Sequence, residues 1–216
     1  EILKLEKLKY DFFKGASHEL KTPLASLKII LENMKYNIGK YKNRDAYIGD
    51  CIDIVDGLTK NISQILSVSS LEHLKNDEEF LDINDILEGV LRKYEVLANQ
   101  KNIKINNCLS NEKIYIGKTA LKIILSNLIS NAVKYADESG TINIGVDEEW
   151  LYIENSYGNK KSIDMEKLFE VKFDLNKETS NGLGLYIVSN LLNNYNIKYK
   201  ALQNESCFVF KIELSI

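Results

Sequence analysis

The chain reads Phe-Phe-Lys-Gly-Ala-Ser-His-Glu-Leu-Lys-Thr-Pro-Leu from Phe12 to Leu24, inside a longer segment with the period of an amphipathic helix. The apolar positions step by four and three residues, which marks one face of a helix; they are Leu20, Leu24, Leu27, Leu31, Met34 and Ile38. His18 lies about 160° from that face at 100° per residue, so its imidazole is predicted to face solvent or a ligand. Thr22 falls on the same face one turn later. Pro23 is predicted to bend the helix, because its ring collides with the carbonyl of Glu19.

Composition limits the classes of function. A length of 216 residues corresponds to one or two domains, and a hydrophobic content of 44% is enough for a proper core. The net charge of −3, with acidic and basic residues interspersed, predicts that the chain binds neither nucleic acid nor an anionic lipid surface. The three cysteines, Cys51, Cys108 and Cys207, are widely spaced and odd in number, which predicts reduced, buried intracellular thiols.

The sequence contains no signal peptide and no apolar run of about 18 residues that would span a bilayer. Its helical pattern is already present at the first residues, and there is no initiator methionine. We therefore expect a fragment of a longer protein, which would meet a membrane only through a missing upstream segment.

A polar turn at residues 39–45 separates the first helix, predicted over residues 2–38, from a second helical pattern. The apolar positions of this second helix form two neighbouring stripes, which are Ile48, Ile52, Val55, Thr59, Ile62 and Leu66, and Cys51, Ile54, Leu58 and Ile65. One stripe is enough to pack against the first helix, so the wider face predicts a further neighbour. We predict a helical hairpin over residues 1–75 that forms a homodimeric four-helix bundle.

After a polar segment at residues 75–79, short strand-like runs alternate with amphipathic helices. Strands are predicted at 80–83, 103–108, 114–116, 141–146, 150–154, 197–202 and 208–214, and helices at 84–100, 118–135 and 183–194. This order predicts a second domain over residues 80–216, a two-layer α/β sandwich with helices over one face of a mixed sheet.

Two segments of this second domain are candidates for phosphate binding. Gly117-Lys118-Thr119 resembles the end of a P-loop, but Glu112 stands where that loop needs a glycine and the intervening residues are strand-like, so a P-loop is rejected. Asn127 and Asn131 are better candidates, because they lie one turn apart on one helical face with Lys134 beyond them. Asparagine is a mediocre helix former, which favours a polar role, although spacing alone also allows a solvated row of amides.

Five segments together resemble a known family. Residues 17–24 resemble the phosphoacceptor box of sensor histidine kinases. Residues 127–135 resemble the asparagine box of these kinases and of the wider ATPase superfamily that includes gyrase, the heat-shock chaperone ATPases and the mismatch-repair ATPases. Residues 153–158 and 180–188 fall where the family has its two glycine boxes, and residues 168–173 resemble its phenylalanine box. The resemblance implies an ATP-binding sandwich of the gyrase, chaperone and histidine kinase type after the hairpin.

The resemblance also implies roles in phosphoryl transfer. His18 is expected to attack the γ-phosphorus of ATP, and Glu19 is expected to act as its base. Thr22 and Glu19 match the phosphatase pattern of the family, in which the hydroxyl positions a water molecule.

In the nucleotide site, the resemblance implies that Asn131 supplies an oxygen to Mg²⁺ bridging the ATP phosphates. Asn127 is expected to contact phosphate or metal, Lys134 to offset phosphate charge, and Tyr135 to flank the nucleotide.

The two glycine boxes depart from the family pattern. Asn155 stands where the family has an aspartate that accepts a hydrogen bond from the adenine amino group, and Tyr157 and Ser180 stand where it has glycines. The second box is still expected to bind nucleotide through Gly182, Gly184 and Leu185, at the beginning of a helix where free amides favour phosphate.

The resemblance thus implies a sensor histidine kinase core of a bacterial two-component system, in the cytoplasmic portion of a membrane-bound sensor. It would phosphorylate itself on His18 with ATP, pass the phosphoryl group to an aspartate of a response-regulator receiver domain, and dephosphorylate that regulator. The altered glycine boxes leave an alternative open, a regulatory dimer that binds ATP weakly or not at all and acts mainly as a phosphatase or scaffold. A different ATPase of the superfamily ranks last, because it would not need the histidine box. His73 is interpreted as an ordinary surface or packing residue.

Overall fold

A computed structural model describes residues 2–69, 78–158, 165, 168–169 and 183–214. The chain divides into two compact units. The first is helical, and its described residues are 2–69; the second is an α/β unit whose described residues begin at 78. Each unit is described by itself.

The helical unit is a hairpin of α1 (Ile2–Lys35) and α2 (Arg44–Ser69), joined by a short 3₁₀ helix at Gly39–Lys42. Helix α1 ends three residues before the predicted position because Asn37 is left-handed, with φ of 54°, a conformation that asparagine tolerates. The Asn37 and Ile38 amides donate to the carbonyls of Met34 and Asn33, a Schellman ending that satisfies the last carbonyls of the helix.

The apolar residues of the hairpin are divided between two faces. The two helices pack together, with Met34 buried and Leu27, Ile30, Cys51, Ile54 and Leu58 half-buried. Other predicted core positions stay 45–57% exposed, which are Leu24, Leu31, Ile38, Ile48, Ile52, Val55 and Ile62. A single hairpin therefore covers one of the two predicted stripes and leaves the other in solvent. None of the described helices combines the length and the apolar character needed to cross a membrane.

The α/β unit contains three helices and seven strands in its described part. The helices are α3 (Ile83–Gln100), α4 (Lys118–Tyr135) and α5 (Leu183–Asn194). The strands are β1 (Glu78–Asp82), β2 (Lys104–Asn107), β3 (Lys113–Gly117), β4 (Thr141–Asp147), β5 (Trp150–Ser156), β6 (Tyr199–Gln203) and β7 (Cys207–Glu213). The predicted fold class, a helical hairpin followed by a two-layer α/β unit, is confirmed.

The strands form two sheets. Five strands pair in the order β2-β4-β5-β7-β6, in which β2 and β4 are parallel and the other pairs are antiparallel. Strands β1 and β3 form a separate antiparallel ribbon, which the sequence pattern did not distinguish from the main sheet. Each ribbon strand runs into a helix without a loop, β1 into α3 and β3 into α4, so the ribbon is held where these two helices begin.

Helix α4 lies at the centre of the core. It packs against α3, α5 and β5, and its buried residues are Ala120, Leu121, Ile124, Leu125, Leu128, Ile129, Ala132 and Val133. The strands below alternate, with Ile142, Ile144, Leu151 and Ile153 buried on the helix side. Because α4 is held by two helices and the sheet, the polar side chains on its remaining surface have well-defined positions.

The other face of the sheet carries a row of polar side chains. Asn106 Nδ2 donates to Asn143 Oδ1 at 2.8 Å, and Asn143 Nδ2 donates to Glu154 Oε1 at 2.8 Å. The Cys207 thiol lies 3.5 Å from Glu154 Oε2. This row crosses β2, β4, β5 and β7 and connects a half-buried carboxylate to a half-buried thiol. Cys207 and Cys51 are half-buried and Cys108 is exposed, so the prediction of buried thiols is wrong for Cys108, because that residue follows the end of the edge strand β2.

Candidate functional site

The beginning of α5 lies directly against two asparagines of α4. A Cβ atom built on Gly184 would be 3.0 Å from Asn127 Oδ1 and 3.7 Å from Asn131 Nδ2. Gly184 is in the first turn of α5, where backbone amides have no acceptor within the helix. Gly184 and Asn131, which are 53 residues apart in the sequence, thus meet in one polar cluster. Within it, the backbone amides that begin α5 are the groups that suit an anion.

A backbone contact fixes the orientation of Asn127. Its Nδ2 donates to the carbonyl oxygen of Ile123 at 2.9 Å, one turn earlier in α4. The amide oxygen is therefore left on the side of Gly184. Asn131, half-buried one turn later, adds a second amide to the same face of the helix.

The last turn of α4 carries Lys134 and Tyr135. Lys134 is exposed, and its Nζ lies 5.5 Å from the centroid of the Tyr135 ring, within the range of a cation–π contact. Burial raises the pKa of the Tyr135 phenol above its ordinary value, and the nearby Tyr157 raises it further. The Tyr135 hydroxyl therefore stays protonated near neutral pH and can donate a hydrogen bond.

A lysine from another element holds this turn. Lys101 follows α3, and its Nζ donates to the carbonyl oxygens of Val133 at 3.0 Å and Lys134 at 2.8 Å. Lys101 was not predicted from the sequence, because a lysine just after a helix is an ordinary surface residue and nothing local indicates a partner about thirty residues away.

The end of β5 supplies Asn155, which is only 4% exposed. Its Nδ2 donates to the carbonyl oxygen of Ser156 at 3.0 Å, so its Oδ1 is kept as an acceptor. Immediately afterwards, the Gly158 amide donates to Asp137 Oδ2 at 2.8 Å. Asp137 was also missed, because its partner lies on a separate strand end.

The remaining predicted site residues are placed less completely. His18 and Glu19 belong to α1, but their side chains lie outside the described residues. Thr22 is exposed on α1, and Leu185 is half-buried in α5. Gly182 lies outside the described residues. The structure thus brings together the asparagines and Gly184, while the roles expected of the histidine box stay predictions.

Phe169, from the predicted phenylalanine box, has a packing role in the described part of the chain. Its ring lies 5.2 Å from that of Tyr199 and 6.1 Å from that of Phe210, edge to face in both cases. Such contacts are typical of a core aromatic. Phe173 and His73 lie outside the described residues, as do most of residues 156–182.

The structure supports the rejection of a P-loop. Residues Lys113–Gly117 form β3 and pair with β1, so they cannot curl around a phosphate.

The donor set of the site consists of amides. Among residues 2–69, 78–158, 165, 168–169 and 183–214, no group of three or more His, Cys, Asp or Glu side chains could hold a metal ion. A protein site with one or two amide oxygens fits Mg²⁺ when phosphates and water supply the other ligands. The cluster thus suits a magnesium–nucleotide complex better than a bare metal.

The chain is similar to known proteins over most of its length. Residues 117–216 match the family described as histidine kinase-, DNA gyrase B-, and HSP90-like ATPase. The sensor histidine protein kinase HK06 of Streptococcus pneumoniae is 38% identical over 219 residues, which cover 99% of this chain and 49% of that protein. The sensor protein VanSB of Enterococcus faecalis is 33% identical over 214 residues, which cover 94% of this chain and 48% of that protein. The chain spans about half the length of these relatives.

Solved structures show the same fold. The histidine kinase AdeS of Acinetobacter baumannii superimposes with a TM-score of 0.71 at 22% identity, covering 92% of this chain and 98% of that one. The histidine kinase ThkA, in complex with the response regulator protein TrrA, gives a TM-score of 0.69 at 16% identity, covering 98% of this chain and 64% of that one.

Proposed function

Since the chain belongs to the sensor histidine kinases, we propose that it is the cytoplasmic catalytic core of a membrane-bound two-component sensor of a bacterium. It uses ATP to phosphorylate His18 and passes the phosphoryl group to an aspartate of a response-regulator receiver domain. Residues 1–75 serve as the dimerisation and phosphotransfer hairpin, and residues 80–216 bind ATP. The observation that carries this proposal is the meeting of Asn127 and Asn131 with the first turn of α5 at Gly184.

The nucleotide site is built on α4 and α5. The second Nδ2 hydrogen of Asn127 donates to phosphate oxygens. The amides around Gly184 and Leu185 do the same, together with that of Gly182 just before the helix. Lys134 offsets phosphate charge from the exposed end of α4. These groups hold the triphosphate in place, which is the main task of a protein in phosphoryl transfer.

The other end of the nucleotide meets Asn155 and Tyr135. Asn155 Oδ1 is free of the Ser156 contact made by Nδ2 and accepts a hydrogen bond from the adenine amino group. Tyr135 flanks the nucleotide; like any tyrosine it is neutral near pH 7, and burial and Tyr157 raise its pKa further. An amide replaces the charge of the usual aspartate, so this contact is weaker than a charge-assisted one.

Mg²⁺ would supply charge neutralisation for the phosphates. The side-chain oxygen of Asn131 would be the protein ligand that holds it. This assignment fits the amide character of the cluster and the preference of Mg²⁺ for a few protein oxygens.

The reaction joins His18 to the γ-phosphorus of ATP. A ring nitrogen of the neutral imidazole forms the new nitrogen–phosphorus bond while the bond from phosphorus to the β–γ bridging oxygen breaks, which releases ADP. Glu19 takes the proton of the other ring nitrogen. When the protein dephosphorylates its regulator, the Thr22 hydroxyl, exposed on α1, positions a water molecule that hydrolyses the acyl phosphate of the regulator.

Two copies of the hairpin form the four-helix bundle. The support is the exposed apolar stripe, in which Leu24, Leu31, Ile52 and Val55 are 46–57% exposed although their spacing is that of a packed face. A second hairpin would cover it with the same stripe in an isologous contact.

Labelling with γ-labelled ATP and Mg²⁺ tests this function. Wild-type protein is expected to acquire an acid-labile, base-stable label, as a phosphoramidate does, and His18→Gln is expected to acquire none. His73→Gln is the matched control, because it removes the other histidine of the chain and should leave labelling intact. Labelling that persists in His18→Gln contradicts the assignment of the nucleophile.

A second function is favoured by one observation, the neutral and nearly buried Asn155 in place of a carboxylate. It is a regulatory dimer that binds ATP weakly or not at all and acts mainly as a regulator phosphatase or scaffold. A nucleotide titration separates the two, since absence of ATP binding together with Thr22-dependent dephosphorylation of the regulator would favour this alternative.

A further inference from the structure

Lys101 is anchored at both its backbone and its side chain. Its amide donates to the carbonyl oxygens of Leu97 and Ala98, and its own carbonyl oxygen accepts from the Ser139 amide at 2.9 Å. The ammonium group reaches the last turn of α4 and binds two carbonyl oxygens at 3.0 and 2.8 Å. The backbone from which this side chain extends is thus fixed, and the two bonds to carbonyl oxygens offset the rotamer entropy that the side chain loses.

The end of α4 needs such a partner. The last four carbonyls of a helix have no intrahelical donor, and α4 does not end with a left-handed residue that would satisfy them, because its C-cap Ala136 has φ of −56° and ψ of 148°. The Ala136 amide reaches only the Ala132 carbonyl. Lys101 serves the next two carbonyls, those of Val133 and Lys134, and places a positive charge at the negative end of the helix dipole.

The turn that Lys101 holds contains residues of the proposed nucleotide site. Lys134 and Tyr135 extend from it, and the chain continues within two residues to Asp137, whose carboxylate holds the Gly158 amide. The preceding turn is fixed independently by the buried Ala132 and Val133. Lys101 therefore acts on the last turn of the helix and on the residues just after it, while the asparagines keep their positions.

We propose that Lys101 is a positioning residue of the nucleotide site, which holds the last turn of α4 so that Lys134 and Tyr135 face the bound nucleotide. The proposal rests on the proposed function and adds to it a residue from outside the five boxes. Lys101 itself does not touch the nucleotide. Lys101 affects the affinity for ATP in the ground state and leaves the rate of phosphoryl transfer to His18 unchanged.

The test uses the full 216-residue chain with Lys101→Met, which keeps an unbranched apolar stem without donors, and Lys101→Arg, which can donate to two carbonyls again. Lys122→Met is the matched control, because Lys122 is an exposed lysine on α4 itself. The rate of His18 phosphorylation is measured against the concentration of Mg-ATP. Amide hydrogen exchange of residues 133–136 is measured without nucleotide.

In Lys101→Met, we expect the half-saturating ATP concentration to rise about threefold to tenfold, from the worth of a helix-terminal charge and its hydrogen bonds, with the maximal rate within about twofold of wild type. Exchange at residues 133–136 should become about tenfold faster. Lys101→Arg should recover both values, and Lys122→Met should change neither.

Provided that the wild type uses ATP, the proposal is overturned if Lys101→Met leaves the half-saturating ATP concentration unchanged or lowers only the maximal rate. Unchanged hydrogen exchange of the last turn of α4 in Lys101→Met also overturns it. If wild type is not labelled at all, the proposed function fails, and the exchange measurement still decides whether Lys101 orders this turn. Lys101→Ala, which also has no donors, replaces Lys101→Met if the latter does not fold, with the same outcomes.

Discussion

Replacing Gly184 by alanine should separate stability from nucleotide binding. The new Cβ would lie 3.0 Å from Asn127 Oδ1, whereas ordinary van der Waals contact begins at 3.4 Å. The amide of Asn127 must therefore move by about 0.4 Å, and the hydrogen bond from its Nδ2 to the Ile123 carbonyl, 2.9 Å long, resists that movement. A helix favours alanine over glycine, so the same substitution also removes the conformational-entropy cost of ordering a glycine in α5.

The two effects have opposite signs. Alanine in place of glycine stabilises a helix by about 0.5–1 kcal/mol, which is reduced here by the displacement of Asn127. A hydrogen bond to a charged phosphate is worth about 1.5–3 kcal/mol, so displacing the Asn127 amide, whose second Nδ2 hydrogen is the donor to phosphate, should weaken nucleotide binding by about tenfold or more. Gly184→Ala should thus be close to wild type in stability and clearly weaker in affinity.

Gly89→Ala is the matched control. Gly89 lies within α3, and a Cβ there meets nothing within 4 Å, so alanine should raise the melting temperature by about 3 °C without changing affinity. Thermal unfolding and calorimetric titration with Mg-ATP measure both quantities for the two variants. If Gly184→Ala binds nucleotide as tightly as Gly89→Ala, the contact between α5 and Asn127 is not part of the nucleotide site, and the reasoning is wrong.

Three further predictions concern other parts of the chain. Ile52→Lys should weaken dimerisation, measured by sedimentation velocity, by about thirtyfold, because burying the exposed half of the isoleucine side chain is worth about 1 kcal/mol and occurs twice in a symmetric interface. Asp53→Lys is the control, since Asp53 is exposed about 100° further round the helix, and it should leave the dimer intact. If both variants dimerise equally well, this face is not the interface. Thr22→Ala should leave autophosphorylation intact and slow dephosphorylation of the regulator by about tenfold or more, which a phosphatase assay with phosphorylated receiver domain checks. Burial, the charge of Glu154 and the hydrogen bond to it raise the pKa of Cys207. The folded state therefore keeps the thiol proton to higher pH than the unfolded state, so the stability that this group contributes is complete below pH 9 and falls as pH rises further. Iodoacetamide at pH 8 should modify the exposed Cys108 well before Cys207.

The sequence predicted the features that depend on local periodicity. The helices and strands of the α/β unit lie close to their predicted positions, since alternation of buried Ile142 and Ile144 with polar neighbours is readable along one strand. The pairing of Asn127 with Asn131 was also readable, because positions four apart in a helix lie on one face. The contact of Gly184 with both asparagines was not predicted, because no spacing rule connects α4 with α5; the resemblance only assigned the three residues to nucleotide binding.

The sequence could not show contacts that depend on tertiary packing. Strands β1 and β3 have the same pattern as the strands of the main sheet, and which strands pair is decided by how α3 and α4 are placed. Lys101 and Asp137 are polar residues in turns, and their partners, the carbonyls of α4 and the Gly158 amide, are backbone groups. Backbone groups leave no mark in a sequence, so side chains that bind them look like ordinary surface residues.

The altered first glycine box has a structural explanation in the strand that precedes it. Strands β5 and β7 pair up to Ser156 and Cys207, and the Tyr157 amide then donates to the Ser206 carbonyl at 2.7 Å, which extends the pairing by one residue. Because Tyr157 is still part of the extended chain, it does not need the conformational freedom of glycine. The turn begins at Gly158 instead, where the amide binds Asp137. The displaced glycine therefore follows an extended residue and begins the turn, which is held by Asp137 just after α4, while Asn155 keeps a fixed place near the end of β5.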